Sequence, residues 1–297
     1  MKFGMQLPEV EREVGWSEIR DVARTAEDCG FDSIWLGDHL LYRDPDGSAR
    51  GPWEVWSLLA GLAEATERVE LGPLVAATSF HAPAMIAKKA ATVDEISGGR
   101  LILGLGAGWN QTEFQGFGFA YDNRVGRFEE AFTIIRTLIR EGAIDFQGRY
   151  YTNRDLELVP RARSDMKILI GSNGPRMLAV TMPHADMWNT WHLDYGNRPE
   201  GLGRLIALVD EACVSVGRDP GEVERTAAVY VQLSRGSGRR AGDAEKQESE
   251  PISGSHEEIA EQLRPFEGTS VGHIQIVLDP IDAKAVDEMA DILQLVR

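Results

Sequence analysis

The sequence predicts the α/β class and a single (β/α)₈ TIM barrel, on three observations. Short apolar runs of strand length alternate with segments of helical periodicity along the whole chain. There are eight such runs and each is followed by a helix, whereas an open doubly wound sheet more often stops at about five to seven strands. The length of 297 residues also suits one barrel.

The predicted strands are short runs rich in apolar residues. They cover residues 2–7, 33–37, 69–75, 101–105, 167–171, 185–190, 227–233 and 273–278. The segments between them repeat apolar residues at i, i+3, i+4 and i+7, which is typical of a helix with one buried face. This pattern is clearest over residues 19–26, 128–139 and 286–293.

Three segments depart from the alternation. We expect one barrel domain over residues 1–297, with insertions near 109–123 and 143–166. The second insertion contains IDFQGRYYTNRDLELVP, which predicts a small hairpin outside the barrel. Residues 234–250 are rich in Gly, Ser and charge, and predict a mobile loop after the seventh strand, either a lid over the site or an inert linker.

Composition and charge narrow the class of partner. With 43% hydrophobic and 26% charged residues, the chain has ample material for a core. A net charge of −16 disfavours nucleic acid and anionic membranes, so we expect a small-molecule ligand. The first residues lack the apolar core of a signal peptide, and no run approaches the ~18 apolar residues of a membrane span, so we expect a cytoplasmic protein. Cys29 and Cys213 fall on apolar helical stripes, which predicts buried structural thiols and excludes a disulfide framework.

The residues that follow the predicted strands indicate the site, because active sites of such barrels lie at the carboxyl ends of the strands. These ends carry GDH, AATSFH, GAGWN, GSNGP and NTWH. No lysine is placed for Schiff-base chemistry, and no His-x-His pair or converging set of carboxylates indicates a metal. Asp38, His39 and His192 are the one set that could hold a metal, and we predict none.

The glycines and small hydroxyls at this rim favour a flat aromatic cofactor that carries a phosphate. Glycine-rich turns let backbone N–H groups approach phosphate oxygens closely, although a glycine at a strand-to-helix turn is most often only a turn. The run LGLGAGWN resembles a dinucleotide-binding turn but has Trp109 where the third glycine would fall. It is therefore not a Rossmann fingerprint.

Together these motifs resemble the luciferase-like monooxygenase superfamily, and in particular its branch that uses coenzyme F420, an 8-hydroxy-5-deazaflavin. The resemblance spans nearly the whole chain. It depends on GFDSIWLGDHL, ATSFHAPAMIAKKAATVDEISGGRLILGLGAGWNQTEFQGFG, RFEEAFTIIRTL, ILIGSNGPRMLAVTMPHADMWN and SGSHEEIAEQL. It implies a bacterial luciferase-like (β/α)₈ barrel, and barrels of this family often pair as homodimers.

The resemblance also implies roles for the Asp-His pair after the second strand. His39 matches the histidine that faces the reactive carbon of the deazaflavin, which makes it the candidate acid or base. Asp38 matches the residue that orients this histidine or contacts the ring. Alternatively, His39 bonds the backbone of the rim and Asp38 is a helix N-cap.

The cofactor-binding residues implied by the resemblance lie after the third, fourth and fifth strands. They are Asp38, Ala76, Ala77, Thr78, Gly106, Ala107, Gly108, Gly171, Ser172, Asn173 and Gly174. In FMN-using members an arginine commonly stands at the position of Ala107 and meets the phosphate, so its absence favours F420 over FMN. A non-proline cis peptide is implied between Gly72 and Ala76.

One departure from the family concerns the substrate. The family's sugar-phosphate dehydrogenase has a glutamate at the position of Trp109, so we do not expect this chain to share that substrate or that proton transfer. Trp109, Trp191 and His192 indicate an aromatic-walled substrate pocket, or else tryptophans that pack the rim.

The sequence thus predicts an F420-dependent oxidoreductase that transfers a hydride between deazaflavin and a small organic substrate. The alternative within the fold is an FMN-dependent monooxygenase that uses molecular oxygen. The alternative of another class is a non-catalytic protein that binds a flavin or deazaflavin.

Overall fold

The structure is a computed structural model, and it describes residues 1–239 and 249–297. The expected loop over 234–250 includes residues 240–248, which lie outside these ranges. Its role as a lid or a linker therefore stays a prediction.

Strands and helices alternate through the described chain. The strands are β1 (Lys2–Gln6), β2 (Ser33–Leu36), β3 (Tyr42–Arg43), β4 (Ala49–Arg50), β5 (Glu70–Pro73), β6 (Ala76–Ala77), β7 (Leu103–Gly106), β8 (Ala143–Gln147), β9 (Thr152–Glu157), β10 (Ile168–Gly171), β11 (Met187–Thr190), β12 (Glu224–Gln232) and β13 (Val271–Asp279). The α-helices are α1 (Trp16–Asp28), α2 (Val55–Ala65), α3 (Pro83–Ser97), α4 (Gln111–Phe117), α5 (Arg124–Arg140), α6 (Pro175–Thr181), α7 (His192–Tyr195), α8 (Leu202–Ser215), α9 (His256–Leu263) and α10 (Ala283–Val296).

A closed ring of parallel strands forms the centre of the molecule. Its order is β5-β2-β1-β13-β12-β11-β10-β7-β6. β5 and β6 are two halves of one strand, separated by Leu74 and Val75, whose peptide bond is cis. A parallel bridge between Leu71 and Leu101 joins the two edges of the sheet. The predicted (β/α)₈ barrel and its eight strands are confirmed.

The helices cover the outside of the barrel because each long helix carries one apolar stripe. In α5 this stripe buries Phe128, Phe132 and Ile135, and in α10 it buries Met289 and Leu293. Each such side chain contributes about 1.5–3 kcal/mol on burial. No helix within residues 1–239 and 249–297 combines the length and the apolar character needed to cross a membrane.

The inside of the barrel is filled by side chains from alternate positions of the strands. An apolar layer consists of Trp35, Ile102, Leu169 and Met187. Next to it, Ser33 Oγ lies 2.8 Å from Nε2 of His273 and accepts a hydrogen bond from the indole N–H of Trp35 at 2.6 Å. Burial, with the charges of Lys2 and Lys167, lowers the pKa of His273 to about 3, so this histidine is neutral inside the barrel.

Two glycines allow the third and fourth barrel strands to approach closely. A Cβ atom on Gly104 would lie 2.1 Å from the carbonyl oxygen of Pro73, and one on Gly72 would lie 2.2 Å from that of Ile102. Both obstacles are backbone atoms, which cannot turn aside as a side chain can. The barrel therefore closes at this seam only with glycine at both positions.

A hairpin outside the barrel follows α5. β8 and β9 pair antiparallel in a sheet of their own, within the insertion expected near 143–166. Its turn is held by Glu130, whose carboxylate accepts backbone N–H groups of Arg149, Tyr150 and Tyr151 at 2.6–3.0 Å. The other insertion, near 109–123, contains α4, which contributes to the rim described below.

The two cysteines differ in their surroundings. Cys213 is fully buried in α8, as predicted. The prediction for Cys29 is wrong in part, because this residue caps the C-terminus of α1, is only half-buried, and donates a hydrogen bond from its thiol to Asp287 at 3.2 Å. Burial and this carboxylate raise the pKa of the Cys29 thiol to about 11. The two cysteines do not form a disulfide with each other.

The close approach of the two backbones at Gly72 and Gly104 leads to a prediction about stability. Replacing Gly104 by Ala is expected to lower the free energy of unfolding by about 3 kcal/mol, because the new methyl group meets backbone. Gly272→Ala is the matched control in β13, where an added Cβ has no atom within 4 Å. Urea unfolding of the two variants measures the difference. Equal stabilities would show that the seam relaxes at little cost.

Candidate functional site

The residues Asp38 and His39 lie in the loop after β2, at the carboxyl end of the barrel. Their side chains bind different partners. His39 contacts α4, which follows β7, whereas Asp38 contacts the end of β6 and His81 in the segment that follows it. Residues 37–41 are not helical, so Asp38 is not a helix N-cap.

A buried carboxylate holds His39. Glu113 of α4 is 1% exposed, and its two oxygens lie 3.2 and 3.3 Å from Nδ1 of His39. Glu113 also accepts the backbone N–H groups of Leu40 at 2.6 Å and Leu41 at 3.3 Å. An ionised carboxylate only accepts hydrogen bonds, so Nδ1 of His39 carries the hydrogen and Nε2 is the other, basic nitrogen of the neutral ring.

The pKa of His39 is raised above its ordinary value. Burial acts against the charged ring, but the hydrogen bond that His39 donates to Glu113 and the charges of Glu9 and Glu113 outweigh it. Glu9 is itself buried and accepts hydrogen bonds from Gly37 N–H at 3.0 Å and from the side chain of Gln6 at 2.8 Å. Burial raises the pKa of Glu9. Two carboxyl groups thus favour the protonated form of His39.

Asp38 is held by a second histidine. Its Oδ2 accepts the backbone N–H of Ala77 at 2.9 Å and lies 3.2 Å from Nε2 of His81. The ammonium group of Lys89 lies 3.3 Å from Nδ1 of His81, and because an ammonium only donates, His81 carries its hydrogen at Nε2 and donates to Asp38. Among the described residues Asp38 makes no hydrogen bond to His39. The carboxylate that accepts a hydrogen bond from His39 is instead Glu113, and the expected contact of Asp38 with a cofactor ring stays a prediction.

An aromatic wall lies beside His39. The ring of Trp109 is 5.7 Å from the imidazole and that of Tyr42 is 4.9 Å from it, centre to centre. Trp109 is 40% exposed, whereas Tyr42 is buried. Burial raises the pKa of Tyr42 well above its ordinary range, which keeps its hydroxyl neutral. The structure thus places Trp109 next to His39, at the rim.

The other two expected pocket residues lie after β11. Trp191 and His192 contact one another at 4.7 Å between ring centres, and the guanidinium of Arg239 lies 5.3 Å from the Trp191 ring. His192 is fully buried, and its Nδ1 lies 2.6 Å from the hydroxyl of Ser249. Burial, then the charge of Arg239, lowers the pKa of His192 to about 3. Contact of this pair with a substrate stays a prediction.

The glycine turns after β7 and β10 flank the side chain of Val75. A Cβ atom on Gly106 would lie 2.7 Å from Val75 Cγ2, and one on Gly171 would lie 2.9 Å from Cγ1. These two glycines therefore make room for Val75, a structural reason that the sequence does not show. Gly108 has φ +75°, which favours glycine, and Gly174 has no neighbour closer than 3.9 Å to an added Cβ.

The expected cofactor-binding segments are neighbours in the barrel. β6, β7 and β10 are adjacent, with Ala76 opposite Leu105 and Ala77 opposite Gly106. Residues 76–78, 106–108 and 171–174 therefore form one continuous part of the rim. Side chains fix the loops: the hydroxyl of Ser79 donates to the carbonyl of Ala107 at 3.2 Å. In the loop after β10, the amide of Asn173 donates to Thr190 and Asp194, and Ser172 O accepts the Trp188 indole N–H.

Buried polar atoms at this rim fit a flavin-like ligand. Within the described ranges, Oδ1 of Asp38, Oγ1 of Thr78 and Oδ1 of Asn173 have no hydrogen-bond partner. An unsatisfied buried polar group costs about 1–3 kcal/mol, so a ligand that binds such groups recovers this energy. Ring N–H groups, ring carbonyls and ribityl hydroxyls of a deazaflavin or a flavin are groups of the kind that would satisfy these atoms. In residues 1–239 and 249–297 no three His, Cys, Asp or Glu side chains come together as metal ligands.

Sequence reasoning missed the partners of the Asp-His pair. His81 and Lys89 are separated from Asp38 by more than forty residues, and Glu9 stands in a loop without any periodic pattern. Of these four residues, Glu113 is the one that the sequence indicates most strongly, since it lies a few residues past the end of a predicted strand. Burial of its carboxylate is decided by contacts that only the fold creates.

The contact between Glu113 and His39 predicts a measurable pKa change. In Glu113→Gln the amide oxygen still accepts the Leu40 N–H, but the negative charge is lost, so the pKa of His39 is expected to fall. NMR titration of the imidazole measures it, and Glu130→Gln is the control, since Glu130 also accepts backbone N–H groups but contacts the hairpin.

The same pair contributes stability with a defined pH dependence. Because the pKa of folded His39 is raised, the contribution is complete below the unfolded pKa of histidine and is lost as pH rises through the folded value. The stability gap between the wild type and Glu113→Gln should therefore narrow as pH increases. An unchanged His39 pKa in this variant would contradict the assignment.

Sequence relatives include a reductase, an F420-dependent dehydrogenase and a monooxygenase. A 5,10-methylenetetrahydromethanopterin reductase of Archaeoglobus fulgidus is 31% identical over 245 residues, covering 78% of this chain and 69% of the relative. An F420-dependent glucose-6-phosphate dehydrogenase of Amycolatopsis mediterranei is 33% identical over 228 residues, covering 74% and 66%. The pyrimidine monooxygenase RutA of Cronobacter sakazakii is 31% identical over 176 residues, covering 57% and 50%. The matched regions thus span between half and about seven tenths of these relatives.

Solved structures show the same fold. An F420-dependent secondary alcohol dehydrogenase in complex with an F420-acetone adduct has a TM-score of 0.83 and 18% identity, covering 100% of this chain and 99% of that one. Riboflavin lyase RcaE has a TM-score of 0.83 and 14% identity, covering 100% and 91%. The model of the luciferase-like monooxygenase family matches residues 1–250. With relatives that are oxidoreductases and monooxygenases, this chain belongs to the luciferase-like monooxygenase family.

Proposed function

We propose that this protein is an F420-dependent oxidoreductase that transfers a hydride between the deazaflavin and a small organic substrate. The observation that carries the proposal is the His39–Glu113 pair, a basic nitrogen of fixed tautomer beside an aromatic wall at the mouth of the barrel. The F420-dependent glucose-6-phosphate dehydrogenase among the relatives supports it, since it is 33% identical over 74% of this chain.

The three adjacent segments of the rim are proposed to hold the cofactor. Ala76, Ala77 and Thr78 lie beside Gly106, Ala107 and Gly108, which lie beside Gly171, Ser172, Asn173 and Gly174. Asp38 offers its Oδ1 to a ring N–H. When bound there, the deazaflavin accepts or supplies a hydride at C5, a two-electron transfer without oxygen.

His39 is proposed to move the proton that accompanies the hydride. When a substrate alcohol loses a hydride from carbon, its hydroxyl proton passes to Nε2 of His39, and in the reverse direction the same nitrogen returns the proton to the carbonyl oxygen. Glu113 stabilises the imidazolium that forms. Trp109 and Tyr42 limit the access of water to His39.

An FMN-dependent monooxygenase is the second candidate, and the match to RutA favours it. In that case reduced flavin and oxygen, not a hydride acceptor, would carry the chemistry. A non-catalytic flavin-binding protein is the third reading, and the pairing of His39 with Glu113 argues against it. The organisation as one domain over 1–297, the homodimer and the cytoplasmic location also stay predictions.

Cofactor choice is tested by titrating F420 and FMN side by side. Because Ala107 lacks the arginine of FMN-using relatives, F420 is expected to bind at least about tenfold more tightly, which is about 1.4 kcal/mol. Fluorescence quenching of the purified protein measures both dissociation constants. Ala107→Arg should shift the preference toward FMN. Tighter binding of FMN to the wild type, with oxygen consumption, would instead identify a monooxygenase.

The role of His39 is tested by single-turnover absorbance of bound F420. His39→Ala should leave F420 affinity within a few-fold and lower the hydride-transfer rate by about 10²–10⁴, the range for a lost general acid or base. His256→Ala is the matched control, because His256 also pairs with a glutamate, Glu288, at 3.2 Å. A wild-type rate in His39→Ala would assign this histidine to the scaffold.

A further inference from the structure

Part of the barrel interior is polar, although branched apolar side chains usually fill the interior of such a barrel. This part runs over four neighbouring strands, β1, β13, β12 and β11. Each of them contributes a buried polar side chain, and these are Gln6, Gln275, Thr226 and Asn189. We call these four residues the polar arc.

The polar arc connects the turn after β10 with the loop that carries His39. At one end, Asn189 is the register partner of Gly171. At the other end, Nε2 of Gln6 donates to the carboxyl group of Glu9 at 2.8 Å, and Glu9 accepts the N–H of Gly37 at 3.0 Å. The arc therefore lies on the strands that the proposed cofactor segments leave free, on the side of His39.

Hydrogen bonds within the arc use some of its polar atoms and leave two of them open. The amide of Asn189 donates to Thr226 Oγ1 and to Gln275 Oε1, each at 2.8 Å. Within residues 1–239 and 249–297, Nε2 of Gln275 and Oε1 of Gln6 have no hydrogen-bond partner. Both residues are at most 5% exposed. Because an unsatisfied buried polar group costs about 1–3 kcal/mol, a ligand that binds these two atoms recovers energy.

The two open atoms belong to neighbouring strands and to the same face of the sheet. Gly4 is the register partner of Gln275, and Gln6 follows Gly4 by two positions along β1. Residues two positions apart on a strand share a face, so Gln6 and Gln275 are diagonal neighbours. This face is the inner one, since a Cβ atom on Gly4 would lie 2.2 Å from Oγ of Ser33 inside the barrel.

An open N–H group next to an open carbonyl oxygen selects the chemistry of the ligand. A hydroxyl group satisfies both atoms, because it accepts a hydrogen bond from Gln275 and donates one to Gln6. An ionised carboxylate only accepts hydrogen bonds, so it would leave Oε1 of Gln6 facing a second acceptor. The pair therefore favours an uncharged group that both donates and accepts.

We propose that Gln6 and Gln275 form a substrate subsite that binds a hydroxyl group distant from the carbon that exchanges the hydride. The inference rests on the proposed function, which places the reacting carbon beside His39. The substrate class is then an uncharged secondary alcohol, or the corresponding ketone, with a further hydroxyl group. The subsite determines specificity and takes no part in the transfer of the hydride or the proton.

The test compares alcohols that differ by one hydroxyl group at increasing separation. The pairs are propan-2-ol with propane-1,2-diol, butan-2-ol with butane-1,3-diol, and pentan-2-ol with pentane-1,4-diol. Calorimetric titration of the protein loaded with reduced F420, which cannot accept a hydride, measures binding without turnover. In at least one pair the diol is expected to bind at least about tenfold more tightly. The anion 4-hydroxypentanoate should bind no more tightly than pentan-2-ol.

Two variants separate the open atoms from the rest of the arc. Gln275→Met and Thr226→Val each remove one acceptor of the Asn189 amide, but only Gln275→Met also removes the open N–H group. The preference for the diol should fall to within about twofold in Gln275→Met and persist in Thr226→Val. Thermal unfolding checks that each variant is folded. If Gln275→Met does not fold, Gln6→Met replaces it, since it removes the open acceptor.

Three results would overturn the subsite. Equal affinities in all three pairs would mean that a buried water or no ligand occupies the two glutamines. Tighter binding of 4-hydroxypentanoate than of pentane-1,4-diol would mean that the site binds anions. An equal loss of preference in Thr226→Val would assign the effect to Asn189. The titrations are repeated without cofactor, so a diol preference in a protein that binds no F420 would support the subsite and contradict the proposed function.

Discussion

The buried carboxylate of Glu113 is the interaction on which the site depends. A carboxylate out of contact with water is tolerated only when hydrogen-bond donors surround it, and here these are two backbone N–H groups of the β2 loop and the imidazole of His39. The same contacts bring the loop after β2 against the insertion after β7. One charge therefore sets the position, the tautomer and the raised pKa of His39 together.

Two consecutive residues, Asp38 and His39, are each matched with a partner of complementary type. Asp38 receives a hydrogen bond from His81, and His39 donates one to Glu113. The rim therefore contains two histidine–carboxylate pairs, Asp38–His81 and His39–Glu113. One pair contains the nitrogen of His39 that we propose as the proton carrier, and the other contains Oδ1 of Asp38, which has no hydrogen-bond partner within the described ranges.

The barrel beneath these loops is rigid because its seam and interior leave little free space. Backbones at Gly72 and Gly104 approach too closely for any Cβ, and Trp35, Leu169 and Met187 fill the centre below the rim. Val75 occupies the space that Gly106 and Gly171 leave. Loops anchored on such a scaffold keep a catalytic side chain near its productive position.

The sequence by itself determined the barrel and its eight strands, because these follow from short-range periodicity. It also predicts that the site lies at the carboxyl ends of the strands, where parallel strands converge. Only the tertiary structure decided which side chains meet. Glu113 reaches the Leu40 N–H across 73 positions, in a helix of seven residues that is too short to show a face. The sequence predicts ligand contacts for the glycines at 106 and 171, and the structure gives them a further reason, since they accommodate the side chain of Val75, which lies between β5 and β6. Such pairings are long-range packing, for which a single chain carries no periodic signal.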